Sequence, residues 1–164
     1  MFQIKYDNGI INRQFLTPLQ TKQQPTVFYN FVPNELYTLI MYDPDTPHGD
    51  YVHWLIINIK DNIKNGEILI PYKGPSPPIN TGIHRYIFLL FRQQALIKKS
   101  DLNDVERNIQ FNNLLDKLSL INKPIEQIYF TSEYQSGGKK MKKMKSKKYR
   151  SKKNKTKKIK NKSI

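Results

Sequence analysis

Two proline-bearing segments most constrain what this chain can fold into: Asp43-Pro44-Asp45-Thr46-Pro47-His48-Gly49 and Lys73-Gly74-Pro75-Ser76-Pro77-Pro78. Each proline holds φ near about −65° and lacks a backbone donor, so neither segment can continue a strand or form a helix. Both read as rigid loops set between apolar runs. Those runs are LYTLIMY at 36–42, YVHWLIINIK at 51–60 and HRYIFLLFR at 84–92, rich in the branched and aromatic residues that suit strands. Glu67–Tyr72 reads as a further strand. The runs are apolar at consecutive positions rather than at alternate ones, which predicts a central sheet covered on both faces.

Elsewhere the signals are sparser. Residues 1–35 are polar and interrupted by Pro18, Pro25 and Pro33, with an Asn8-Gly9 turn, and predict short strands joined by long connections. The spacing of Val105, Ile109, Phe111, Leu114, Leu115 and Leu118 predicts one helix, capped by Ser100 or Asp101 and ended before Pro124. Ile125–Phe130 reads as a last strand. Beyond Ser136-Gly137-Gly138 the composition changes abruptly. Fifteen of the 28 basic residues and none of the 13 acidic ones lie in residues 139–164, so the net charge of +15 belongs wholly to this segment. The chain therefore divides into a neutral domain at 1–135 and a Lys-rich segment at 136–164. The latter has too little apolar surface to offset ordering entropy and is expected to be disordered alone.

Several function classes fall away. With no cysteine there is no disulfide, thiolate metal site or cysteine nucleophile. The start, MFQIKYDNGI, does not read as a secretory signal, and the longest apolar runs fall far short of the ~20 residues of a membrane-spanning helix. A soluble intracellular protein is the expectation.

The candidate site lies where the loops meet the strands. Asp43 stands where the first strong strand stops, His53 lies early in the next, and His84 opens the third with Tyr86 two residues on. Period two places His84 and Tyr86 on one face. Imidazoles, a phenol and loop N–H groups at Gly74 or Ser76 would converge on an anion, with Asp43 orienting a histidine. One carboxylate beside two histidines is a poor metal site, and no metal or cofactor is expected. A Ser76/His84/Asp43 triad is disfavoured because Ser76 lies between prolines, away from any strand-to-helix elbow. Arg85, on the opposite face from His84, reads as an ion-pair residue, Asp45 as a loop brace, and Trp54, Phe88 and Phe91 as core.

The string Asp43-Pro44-Asp45-Thr46-Pro47, His53-Trp54, Gly74-Pro75-Ser76-Pro77-Pro78 and Gly82-Ile83-His84-Arg85-Tyr86 resembles the phosphatidylethanolamine-binding protein family, which includes Raf kinase inhibitory proteins. The resemblance is strongest over 36–92. It implies a mostly β fold with a large antiparallel sheet, a smaller second sheet and few peripheral helices. It also implies a small cavity for phosphate, sulfate-like anions or phospholipid head groups, carried here by Asp43, His53, Gly74, Ser76, Pro77, Pro78, His84 and Tyr86. The family loop Gly-x-Gly-Pro-Pro appears as Gly-Pro-Ser-Pro-Pro, which removes one N–H at Pro75 and adds a hydroxyl at Ser76. The short stretch between Pro47 and His53 is similar to bacterial-type members.

The function expected from these residues is non-catalytic binding or regulation: capture of a phosphate-bearing small ligand or phospholipid head group. His53 or His84 would gain charge as pH falls toward ~6.5 and strengthen anion binding. Lys139–Ile164 would contact nucleic acid or an acidic membrane or protein surface. One alternative is a nucleic-acid or virion packaging accessory protein working through that segment, with a vestigial cavity. Another is a protease or kinase inhibitor, as in some relatives. The Gly-Gly joint followed by Lys, Ser and Thr is similar to tails on proteins of large DNA viruses, which gives a viral protein as a further expectation.

Overall fold

The computed structural model describes residues 1–136; residues 137–164, and with them the disorder expected of the Lys-rich segment, lie outside the described residues. The first 35 residues supply three short strands: β1 (Gln3–Tyr6), β2 (Gly9–Ile10) and β3 (Thr26–Phe28), in the order β2-β1-β3. Tyr6 pairs with Gly9 across the Asp7-Asn8 turn. Gly9 there has φ of +125°, which only glycine adopts readily.

The strong apolar runs become a five-stranded sheet: β4 (Tyr37–Asp43), β5 (Tyr51–Ile59), β6 (Glu67–Ile70), β7 (Ile83–Arg92) and β8 (Glu126–Glu133). Its order is β6-β5-β4-β7-β8, antiparallel throughout. As expected from the consecutive apolar positions, both faces are covered. Tyr37, Leu39, Met41, Trp54, Tyr86, Phe88 and Phe130 pack with Ile4, Tyr6 and Val27 of the small sheet. Ile40, Leu55, Ile57, Leu89 and Phe91 pack on the other side against Leu102, Leu114 and Leu118. A fully buried side chain of this size contributes roughly 1.5–3 kcal/mol, so the two layers are the main stabilising element.

The helical region differs from the sequence reading. Only Phe111–Lys117 is α-helix (α1), preceded by a 3-10 turn at Lys99–Leu102. Residues between them run alongside β5: Val52 N–H donates to the Arg107 carbonyl at 2.8 Å, and Tyr51 bridges Asn108. These tertiary partners override the helical spacing of Val105 and Ile109. Neither Ser100 nor Asp101 caps α1. Asp50 does so from the first proline loop, accepting from Phe111 N–H at 2.8 Å. A seven-residue helix is marginal alone. Leu114 and Leu118 anchor this one, helped by the stack of Phe111 on Tyr42 at 4.2 Å and 12°.

Candidate functional site

Three strands bring their ends together beneath the two proline loops. Asp43 ends β4, and His84 and Tyr86 begin β7 with side chains on the face toward the small sheet. A register shift delivers His53 to that same face. Met41 pairs with Trp54, but Tyr42 pairs with Val52, leaving His53 as an extra residue on β5. Val52 and Leu55 thus pack on the helix side and Trp54 on the other, breaking the alternation around His53. Such a bulge re-aims a side chain at a sheet end. Arg107 holds it, donating to the carbonyls of Val52, His53 and Pro71 at 3.1, 3.2 and 2.8 Å.

A cavity of about 390 Å³ lies there, lined by Asp43, Thr46, Pro47, His48, Tyr51, His53, Lys73, Ser76, Pro77, Pro78, Tyr86 and Asn108. Six of the eight sequence-derived site residues are therefore on its wall. Gly74 and His84 are not. Gly74 is a packing position: a Cβ there would stand 2.7 Å from the Thr21 carbonyl oxygen and 3.1 Å from the Lys22 Cα. His84 is wholly buried behind the wall. Its Nδ1 is 2.7 Å from Asp43 Oδ2 and its Nε2 2.7 Å from Thr81 Oγ1, so both nitrogens are occupied. Asp43 also accepts from the Asp45 N–H at 2.8 Å, the bond that starts the loop. Burial, the largest influence, raises the Asp43 pKa against the opposing effects of His84 and that N–H.

Asp45 and Arg85 confirm the reading of brace and ion pair. Arg85 donates through Nε and Nη2 to the two Asp45 oxygens at 2.8 and 2.7 Å, and its backbone N–H donates to Asp45 at 2.9 Å. The loop is thereby pinned to β7. Its own hydrogen bond lowers the Asp45 pKa, with Arg85 as the cause.

His53 departs from the expected titration. Its Nδ1 bonds the Lys73 carbonyl at 2.7 Å while the Lys73 N–H donates back to the His53 carbonyl at 2.9 Å. Burial pushes its pKa down to about 4, with the Arg107 and Lys73 charges adding to the shift. The ring is neutral at pH 6 and does not supply the charge expected near 6.5. Nδ1–H is committed to Lys73, so Nε2 is an acceptor without a partner among the described residues. Tyr86 packs edge-on to His53 at 5.1 Å and stacks on Phe130 at 5.3 Å. Its buried hydroxyl makes no well-formed hydrogen bond among the described residues, and burial, followed by the charge and the accepting oxygens of the nearby Asp43 carboxylate, raises its pKa. Lys73 Nζ donates to the Tyr51 hydroxyl at 2.8 Å on the exposed rim.

The sequence reading missed Lys73, Tyr51 and Asn108 as wall residues. Thr46, Pro47 and His48 were visible as part of the first loop, whereas Asn108 arrives through tertiary pairing that leaves no local signal. Chemically the wall offers donors (the hydroxyls of Tyr86 and Ser76, the Lys73 ammonium) and acceptors (His53 Nε2, Asp43) around one small volume. Among the described residues no group of three or more His, Asp or Glu side chains could hold a metal ion, and no helix is long and apolar enough to cross a membrane.

Comparison with known proteins agrees with this geometry. The chain is 44% identical over 97 residues to a 26 kDa secreted antigen of Toxocara canis, covering 55% of this chain and 37% of the antigen's length. The solution structure of CG7054 matches with TM-score 0.64 and 32% identity, covering 82% of this chain and 84% of that one. A carboxypeptidase Y inhibitor, solved with its cognate proteinase, shares the fold with TM-score 0.66, 21% identity, and coverage of 82% and 83%. None of these lends support to the viral origin suggested by the Lys-rich segment. A family model described as phosphatidylethanolamine-binding protein matches residues 5–122, and with the five-stranded sheet, the smaller sheet and the cavity between the two proline loops, the chain belongs to that family.

Proposed function

We propose that the protein is a non-catalytic binding module that holds a phosphate-bearing group, free or as a phospholipid head group, in the cavity between the two proline loops. The observation that carries this reading is the Tyr86 hydroxyl. An unpartnered buried hydroxyl costs roughly 1–3 kcal/mol, and of the three buried side-chain polar atoms without a partner among the described residues (the others are Trp54 Nε1 and Ser132 Oγ) it is the one on the cavity wall. A phosphate oxygen accepting from it would remove that cost. Ser76 and Lys73 would add donors, and neutral His53 would accept a hydrogen bond at Nε2 from the O–H of a singly protonated phosphate. Because Asp43 is engaged by His84 and by the Asp45 N–H, it repels the ligand less than a free carboxylate would. Ser76 makes no hydrogen bond to either histidine among the described residues, which favours binding over a serine nucleophile. The fifteen basic residues of 139–164 would give a second, salt-sensitive contact with a polyanion.

The test is a chemical-shift titration of the full chain with inorganic phosphate and with phosphoethanolamine. Saturable shifts at Asp43, Ser76 and residue 86 are expected, with a midpoint about tenfold higher in Tyr86→Phe. Shifts confined to the lysines of 139–164 would overturn the cavity reading.

A further inference from the structure

We infer that the outer edge of β3, with the groove beside it, is a docking site for an extended peptide that carries a lysine or arginine side chain. The site lies apart from the cavity between the proline loops and does not depend on it. Strand β3 ends the small sheet, and among the described residues no strand pairs with its outer side. The pairing of β1 shows which groups face outward. The Ile11 N–H donates to the Ile4 carbonyl at 2.9 Å, so Ile4 turns to β2, and Gln3 and Lys5 on either side of it turn to β3. Their partners Phe28 and Thr26 turn inward to meet them, which leaves the N–H and C=O of Val27 directed away from β1. An extended peptide laid along this edge would pair with Val27 as a fourth strand.

The groove supplies the side-chain chemistry. It has a volume of about 360 Å³ and lies where β1 begins, β3 ends and the turn after β5 comes close. Phe28, Tyr29 and Phe31 give it aromatic walls, with Tyr29 and Phe31 edge to face at 5.1 Å and 76° and Phe28 46% exposed. Among the described residues Asp61 is the one carboxylate on the wall, and no Lys, Arg or His side chain lines it. Asp61 makes no ion pair among the described residues. A tight turn holds it in place: its φ is +59°, and the Asn62 N–H donates across it to the Lys60 carbonyl at 2.6 Å. The amide oxygens of Gln3 and Asn30 add acceptors. Aromatic faces beside an unpaired carboxylate attract an organic cation, the reverse of the wall that carries the Lys73 ammonium. The free edge suits an extended main chain and the groove suits its basic side chain, so the two together favour a peptide over a small amine.

The test is a chemical-shift titration of the full chain with an acetylated, amidated peptide of alternating threonine and valine around one central arginine. A second peptide carries citrulline there, which keeps the shape and removes the charge. The chain's own net charge of +15 opposes non-specific uptake of a cation, so saturation has to come from a local site. Saturable shifts at Val27, Phe28 and Asp61 are expected, with a midpoint about tenfold higher for the citrulline peptide. Asp61→Asn keeps a residue suited to positive φ and should abolish that preference, the arginine peptide then binding no better than the citrulline one. Phe28→Ser, at an exposed position, should weaken the arginine peptide while leaving phosphate titration of the other cavity as before. Equal midpoints for the two peptides in the unaltered chain overturn the proposal, as do shifts that are confined to the cavity between the proline loops or absent altogether.

Discussion

His53 and His84 stand on the same face of the same sheet, within one small region, yet their surroundings divide their roles. His84 is sealed: both ring nitrogens are bonded, its carboxylate partner is buried, and no part of it reaches solvent. His53 sits on a bulge with one nitrogen committed to a backbone carbonyl and the other left open on the cavity wall. The sealed site fixes the shape of the loop, and the open site supplies the chemistry. A residue type in a motif therefore does not reveal which of these it is; the partners of its second nitrogen do.

The largest effect should come from the sealed side. His84→Ala leaves Asp43 buried with only the Asp45 N–H, and breaking such a pair typically costs about 3–5 kcal/mol. Urea unfolding at pH 7 measures it, and a loss below about 1 kcal/mol would mean the two sites are not distinct. The open side should show itself through pH. A neutral His53 is favoured in the folded protein, with a pKa of about 4 against about 6.5 unfolded. Between those values the unfolded chain binds the extra proton, so stability falls as pH drops through this window, by about 3 kcal/mol from this group. In His53→Gln that portion of the slope should disappear. Asp43 acts with the opposite sign, since its raised pKa makes the folded state the better proton acceptor. It is common to both proteins and cancels in their difference.

Gly74 belongs with His84 on the structural side. The methyl of Gly74→Ala would press on three backbone atoms, the Thr21 oxygen and the Lys22 Cα and oxygen, none of which can swing aside as a side-chain end could. A loss of about 1–3 kcal/mol is expected in the same unfolding assay. An unchanged midpoint would show that the loop gives way freely and that its geometry is not set by this crossing.

How far all this was legible follows from the range of each signal. The strands announce themselves in consecutive branched and aromatic residues, and period two rightly puts His84 and Tyr86 on one face, since β7 is regular there. The same rule fails at His53 and Trp54, where the bulge puts neighbours on one side. It fails again at Asn58, which has φ of +55° and sits in a second irregularity of β5. The helix between 100 and 118 was overread because Val105 and Ile109 repeat correctly, while the carbonyls that Arg107 engages lie about fifty residues earlier in the chain. Local periodicity carries no record of partners at that distance. Lys73 and Asn108 were missed as wall residues for the same reason, and the division of labour between the two histidines was not visible at all.

The smallest change in stability bears most directly on the open side. Tyr86→Phe removes one oxygen and keeps the ring that stacks on Phe130 and meets His53 edge-on. Since that oxygen has no partner among the described residues, its loss should leave stability unchanged or raise it by about 1 kcal/mol. An ordinary core tyrosine with a satisfied hydroxyl would instead lose about that much on the same substitution, so the sign decides between the two. Phosphate affinity should move the other way and fall by about tenfold, equivalent to roughly 1.4 kcal/mol, in the chemical-shift titration. A variant both more stable and weaker in binding would show a hydroxyl kept for a ligand at the expense of the fold. A variant less stable with phosphate affinity intact would place Tyr86 with His84, among the residues that only build the wall.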